Sequence, residues 1–304
     1  MPSFRRFLAA AVLTAGIAAP FIAPVGPAGA GSSAPPIHSL PLISQVSQAP
    51  RRASTMAYHG GPVMVGPVNV YIVWYGDWSK AALRQTIITD FIGNLASPYF
   101  AINSTYPDRA KATVANTVVL AGQVNDAYSV GKKNLSDERI RTVVTTTLSK
   151  GALPTDPHGV YLVITSSDVN KQGFLTQYCG WHTYTKVGAK GAQTAIKYSF
   201  VGDPTGPKMR GCTPQMVSPN GDAAADAMVS VIAHEIDEAV TDPTLNGWYD
   251  ARGNENADLC AWKYGTTFDV GSAKANVTLG KRSYLVQTNW VNVGKGGCGL
   301  SVGG

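Results

Sequence analysis

Residues 226–243 read DAMVSVIAHEIDEAVTDP, and the reading of this stretch organises the rest of the chain. On a helix, Val229, Ile232, Ile236 and Val240 recur at three- and four-residue spacings and share one apolar face. His234 and Glu238 stand four apart on another side, where their neighbours are Ala227 and Val231 rather than solvated side chains. A helix apolar nearly all round is a buried helix. Its imidazole and carboxylate then need partners, because an unpaired buried charge costs several kcal/mol or neutralises itself. A metal ion is one such partner.

The spacing His234-Glu235-x-x-Glu238 is that of the HExxH metallopeptidase helix with a carboxylate in place of the second histidine. In that arrangement His234 and Glu238 bind the ion, and Glu235, offset around the helix, is the catalytic base acting on a metal-bound water. Three fixed residue types also occur by chance, and a helix with two solvated glutamates and a hydrogen-bonded histidine explains the motif on its own. The downstream sequence favours the metal. Thr241, Asp242 and Pro243 stop the helix, and residues 254–260, NENADLC, follow. Glu255 stands at a distance resembling that of the third ligand in glutamate-type zincins, and Asp258 is placed to orient a ligand histidine. His182 and Tyr249 are the candidates for stabilising a developing oxyanion, each with a plain packing role as its competitor. The third ligand stays open among Glu255, Asp258 and His182. One histidine and two carboxylates suit zinc and also admit calcium or manganese. Asp237 reads as solvated and Asp242 as a turn former.

The chain has 304 residues with 44% hydrophobic content, enough to bury a core unaided. Arg5 and Arg6 precede an apolar run over residues 7–25, and Ala28-Gly29-Ala30 offers a small-residue cleavage site, so residues 1–30 read as a secretory signal peptide. Pro20 and Pro24 interrupt that run, and no other stretch is long and apolar enough for a membrane span. Of 25 Lys and Arg against 19 Asp and Glu, Arg5 and Arg6 lie in the signal, which leaves a balance of about +4. No basic cluster is interleaved with aromatics, so nucleic acid is not an expected partner. Cys179, Cys212, Cys260 and Cys298 are expected to form disulfides in an exported chain. Three pairings are possible, and the sequential one, Cys179 with Cys212 and Cys260 with Cys298, is favoured because each bridge closes a loop on one side of the central helix.

Residues 31–55, rich in Pro, Ser and Ala, read as a flexible leader, and one domain over residues 56–304 follows. The β-formers of residues 68–75 predict a strand. Ser79 is the expected cap of a helix that carries Leu83, Ile87, Ile88, Phe91, Ile92 and Leu95 and ends by Pro98. A second strand over 113–120, a helix capped at Ser136 and stopped by Gly151, and a nearly continuous apolar strand over 160–165 come next. Strand, helix, strand, helix, strand predicts an α/β class fold, a single layered domain with a mixed sheet and a central zincin-like helix. Ile196, Tyr198 and Phe200 alternate with polar residues, as in a strand with one wet side, and residues 177–184 with this strand suggest a sheet edge over a cleft. A last strand or hairpin is expected over 283–293.

Four stretches, 70–79 (VYIVWYGDWS), 179–183 (CGWHT), 229–243 and 258–260 (DLC), together resemble the EXORDIUM, or phosphate-induced protein 1, family of plant apoplastic proteins and its bacterial relatives. The resemblance covers the chain from about residue 60 to the end. The chain reads as a bacterial relative because its export signal is of bacterial type. Members are similar at His234, Glu235 and Glu238. This chain departs in having Asp242 where plant members have asparagine, and in fewer cysteines around Cys212. The resemblance implies an extracellular protein and brings no settled chemistry with it.

Two functions follow as expectations. One is a secreted zinc-dependent hydrolase, a peptidase of zincin-like fold acting on peptide or cell-wall polymer. The other is a non-catalytic extracellular protein that binds wall glycan or a receptor and keeps its metal for structure. Six tryptophans and thirteen tyrosines suit sugar stacking but are also ordinary packing stock.

Overall fold

Runs of β-branched and aromatic residues set the middle of the sheet, and helices pack apolar side chains onto both of its faces. The computed structural model describes residues 36–46 and 55–303, so the signal peptide expected over 1–30 lies outside the described residues. In chain order the elements are β1 (His38–Pro41), β2 (Ala57–Tyr58), β3 (Gly66–Tyr75), α1 (Ala82–Gly93), β4 (Val114–Asp126), α2 (Asp137–Ser149), β5 (Gly159–Thr165), β6 (Tyr178–Val187), β7 (Thr194–Gly202), α3 (Ala223–Thr241) and β8 (Trp248–Tyr249). Short hairpins finish the chain: β9 (Phe268–Val270) with β10 (Ala273–Ala275), β11 (Val277–Leu279) with β12 (Arg282–Tyr284), and β13 (Asn289–Val291) with β14 (Gly297–Gly299).

The main sheet has the order β1-β6-β7-β5-β3-β4. Strands β7, β5, β3 and β4 run parallel, while β6 and β1 are added antiparallel at one side, so the sheet is mixed. Strand β5 is buried along its whole length in the middle of the sheet, as its unbroken apolar run requires. Val160, Leu162 and Ile164 join the core beneath α1 and α3, and Tyr161 and Val163 join the core beneath α2. The result is three layers, helix on sheet on helix.

Several local expectations need correction. Helix α1 starts at Ala82 without a side-chain cap, because Ser79 is spent in a turn where its N–H donates to Asp77, and it ends at Gly93, before Pro98 as expected but short of Leu95. Strand β4 runs on to Asp126, since its pairing with β3 persists as far as Tyr75. Strand β7 has no wet side. It lies inside the sheet between β6 and β5, and its polar Lys197 and Ser199 are buried with the rest. The stretch read as a flexible leader supplies β1, whose Leu40 is fully buried in the core. Four residues among prolines are too short to show a strand period in the sequence, yet they close one edge of the sheet.

Other signals hold. Ser136 caps α2, accepting from the Arg139 N–H. The chain carries Cys179–Cys212 and Cys260–Cys298 bridges, the sequential pairing. Among the described residues no helix is long and apolar enough to cross a membrane. Helix α3 is capped by Asp222, which accepts from the N–H groups of Ala224 and Ala225, and is buried from Ala224 to Thr241. Its end is fixed where Asp242 accepts from the N–H groups of Asn246 and Gly247, a turn former as expected, though buried.

Candidate metal centre

Helix α3 presents His234 and Glu238 one turn apart, with His234 Nε2 3.0 Å from Glu238 Oε1. Opposite them lies the loop that enters the short 3-10 helix Asp258–Cys260. The Asp258 N–H donates to Glu238 Oε1 at 3.1 Å, the Glu255 N–H donates to Asp258 Oδ2 at 3.1 Å, and Asp258 Oδ1 stands 3.7 Å from His234 Nε2. The Cys260–Cys298 bridge ties this loop to the carboxyl-terminal hairpin. His234, Glu238 and Asp258 thus offer three donor atoms within 4.8 Å of one another.

Glu255 goes to a different set of partners. Its Oε2 is 2.8 Å from His182 Nε2 and 2.6 Å from His38 Nδ1, and these two histidines face each other across the β1–β6 pair. His38, His182 and Glu255 form a second trio of donors within 4.8 Å. The two trios touch where His182 Nε2 lies 3.5 Å from Glu238 Oε2. Three of the chain's five histidines therefore converge on one place. His38 was not legible, because it sits in a stretch whose composition reads as leader; pairing with His182 in register is what brings it in.

Glu235 points from α3 toward β6. A Cβ at Gly180 would stand 2.8 Å from Glu235 Oε1 and 2.5 Å from Val231 Cγ1, so glycine there lets helix and strand approach. The Tyr249 ring stacks on His59 with centroids 3.6 Å apart, on the short β2–β8 ladder.

Burial is nearly complete. Glu235, Glu238 and Glu255 are wholly enclosed, and the centre meets solvent at the side chains of His38 and Asp258, which are 25% and 19% exposed. Among the described residues, thirteen buried side-chain nitrogen or oxygen atoms lack a hydrogen-bond partner, and seven of them are His234 Nδ1 and Nε2, both oxygens of Glu235, Glu238 Oε2, Asp242 Oδ2 and Glu255 Oε1. The His234 approach to Glu238 is close but off the line a hydrogen bond needs. Native proteins leave few buried polar atoms unsatisfied, so a concentration of them marks a place that something else completes.

The electrostatics follow from enclosure. Burial opposes a charge on His182, but Glu255 outweighs it and raises the imidazole to about 10. Burial likewise opposes a charge on His38, and Glu255 raises it to about 9. His234 is held well above the ordinary imidazole value, burial being outweighed by Glu238 and Asp258. Burial drives Glu235 and Glu238 upward; for Glu255 it is overcome by the two histidines, which push the carboxyl down. A divalent cation would replace the protons that this cluster retains.

Asp237, expected to be solvated, is also fully buried, on another face of α3. It accepts from Tyr99 OH at 2.8 Å and Asn103 Nδ2 at 2.7 Å, and Asn103 Oδ1 accepts in turn from Asn256 and Asn289. An acid inside an otherwise apolar helix was the available signal.

A mixed three-layer α/β fold with a buried histidine–carboxylate centre on its longest helix defines the class. Residues 56–284 match the phosphate-induced protein 1 conserved region, and the chain belongs to that family. It is 32% identical over 276 residues to Protein EXORDIUM-like 3 of Arabidopsis thaliana, covering 78% of this chain and 81% of that protein. It is also 32% identical over 239 residues to Protein EXORDIUM-like 5 of Arabidopsis thaliana, covering 69% and 65%, and 27% identical over 238 residues to Protein PHOSPHATE-INDUCED 1 of Nicotiana tabacum, covering 69% and 72%. These relatives are plant proteins and lend no support to the bacterial affinity read from the export signal. No solved structure matches the chain. Two disulfides and these relatives are consistent with an extracellular protein.

Proposed function

We propose that the chain is an extracellular protein of this family that holds a divalent metal ion on α3, with His234, Glu238 and Asp258 as donors. The observation that supports this reading most directly is the concentration of unpartnered buried atoms on His234, Glu235 and Glu238. One imidazole and two carboxylates suit zinc and admit calcium or manganese. Export fits the two disulfides, with a signal over residues 1–30 cut after Ala30. The test is metal content and melting temperature of the parent and of Glu238→Gln, before and after chelation. The parent is expected to carry metal and to melt lower once chelated, and Glu238→Gln to have lost most of both responses. A parent without stoichiometric metal, and with a melting temperature indifferent to chelator, refutes the reading.

Glu235 favours a second reading on the same site, a zincin-like metal-dependent hydrolase of peptide or cell-wall polymer. Both its oxygens are unpartnered beside a ligand of the ion, where a general base on a bound water would stand. A peptide-library digest with and without chelator separates the two: cleavage that chelator abolishes makes the site catalytic, and its absence leaves the metal structural.

A further inference from the structure

The trio around Glu255 is left without a role by a single ion on α3. Two imidazoles and a carboxylate, from His38 on β1, His182 on β6 and Glu255 in the loop, gather their donor atoms within 4.8 Å. Hydrogen bonds from two histidines could by themselves account for Glu255 Oε2. They do not account for Glu255 Oε1 or for Glu238 Oε2, which are enclosed, unpartnered and beside the same imidazole, Glu238 Oε2 being 3.5 Å from His182 Nε2. Glu238 is the connection between the trios. Its Oε1 faces His234 at 3.0 Å and its Oε2 faces His182, so its two oxygens point into different donor sets.

We infer that the centre is binuclear: a second divalent cation is held by His38, His182 and Glu255, with Glu238 bridging to the ion on His234 and Asp258. The inference rests on the reading of α3 as a metal site. The donor chemistry sets the preference. Two imidazoles and one carboxylate match the open three-ligand zinc sites, whereas the α3 trio is richer in oxygen. His38 also supplies the route in, since its side chain is a quarter exposed while His182 and Glu255 are sealed. Contacts of 2.6 and 2.8 Å are hydrogen-bond separations, so loading an ion displaces the shared protons and moves these groups apart. The second site exists only while β1 is paired with β6, which makes the amino-terminal strand a ligand-bearing part of the protein rather than a leader.

The experiment loads the purified chain with Zn²⁺, removes excess by desalting, and counts bound ions by native mass spectrometry for the parent, His38→Gln and His234→Gln. His38 lies on an edge strand and is partly exposed, so its glutamine variant is expected to fold, and an unchanged circular dichroism spectrum checks this. Two ions in the parent and one in each variant establish the binuclear centre. One ion in the parent, or two in His38→Gln, overturns it. The failure of the α3 reading looks different: His234→Gln then keeps as many ions as the parent while His38→Gln loses one. Loss of the parent's only ion in both variants shows a single shared site and also overturns the inference.

Discussion

Asp237 and Glu235 sit two residues apart on α3, are equally enclosed, and have opposite surroundings. Asp237 is met by a tyrosine hydroxyl and an asparagine amide, and the asparagine is itself held by two more amides. Glu235 has neither oxygen paired and faces the bare backbone of Gly180. The difference teaches how to tell two kinds of buried acid apart. A network whose donors and acceptors close on themselves belongs to the scaffold, and one left open calls for a further partner such as water, an ion or a substrate.

The comparison breaks most readily at Asp237. Replacing it with leucine strands the Tyr99 hydroxyl and the Asn103 amide inside the protein, at about 1–3 kcal/mol each. Asp237→Leu is therefore expected to lose about 4 kcal/mol in urea unfolding. The folded fraction should keep the parent's metal content. A variant as stable as the parent would show that the closed network is not structural.

The same contrast recurs among buried lysines and yields a pH dependence. Lys171 reaches the Asp137 carboxylate at 2.5 Å, whereas Lys197 donates to the Pro157 and Ala195 carbonyls and to no carboxylate among its hydrogen bonds. Burial lowers Lys197 to about 8. Below that pH both folded and unfolded chains carry the charge, and the folded state bears its enclosure. As pH rises from about 8 toward 10.5 the folded state releases the proton first, so stability rises, by about 3 kcal/mol if nothing else titrates. Subtracting the Lys197→Met profile isolates this slope. Identical profiles in parent and variant would show that Lys197 does not set this slope.

The smallest stability change is expected at Glu235. Glutamine there replaces an enclosed carboxyl group that nothing pairs and whose ionisation burial opposes, so Glu235→Gln should match the parent or exceed it by about 1 kcal/mol. It should retain metal, since Glu235 belongs to neither donor trio, while any chelator-sensitive hydrolysis falls at least ~100-fold. A drop in stability comparable to that of Asp237→Leu would erase the distinction between the two acids.

How much of this the sequence discloses depends on distance along the chain. The period of Val229, Ile232, Ile236 and Val240, the cap at Ser136 and the apolar run of β5 are local signals, and each is realised. The pairing of His234 with Glu238 is local too, being one helical turn. The partition of the remaining donors is not. Glu255 was expected beside His234 and stands with His182 and His38 instead, because strand register and a loop held by a disulfide decide which donors meet. Asp237 reads as solvated in the sequence because Asn103, which it accepts from, and Asn256 and Asn289, which hold Asn103, come from three separate places in the chain.

The cross-strand placement of His38 against His182 has a consequence for the order of synthesis. His38 is the first donor to be made and Asp258 the last, and the Cys298 half of the bridge that ties down their loop comes later still. A nascent chain that stops short of Asp258 lacks at least one of the six candidate donors, so filling both proposed sites would need the chain made at least that far. Two bound ions would then report a chain made at least as far as Asp258.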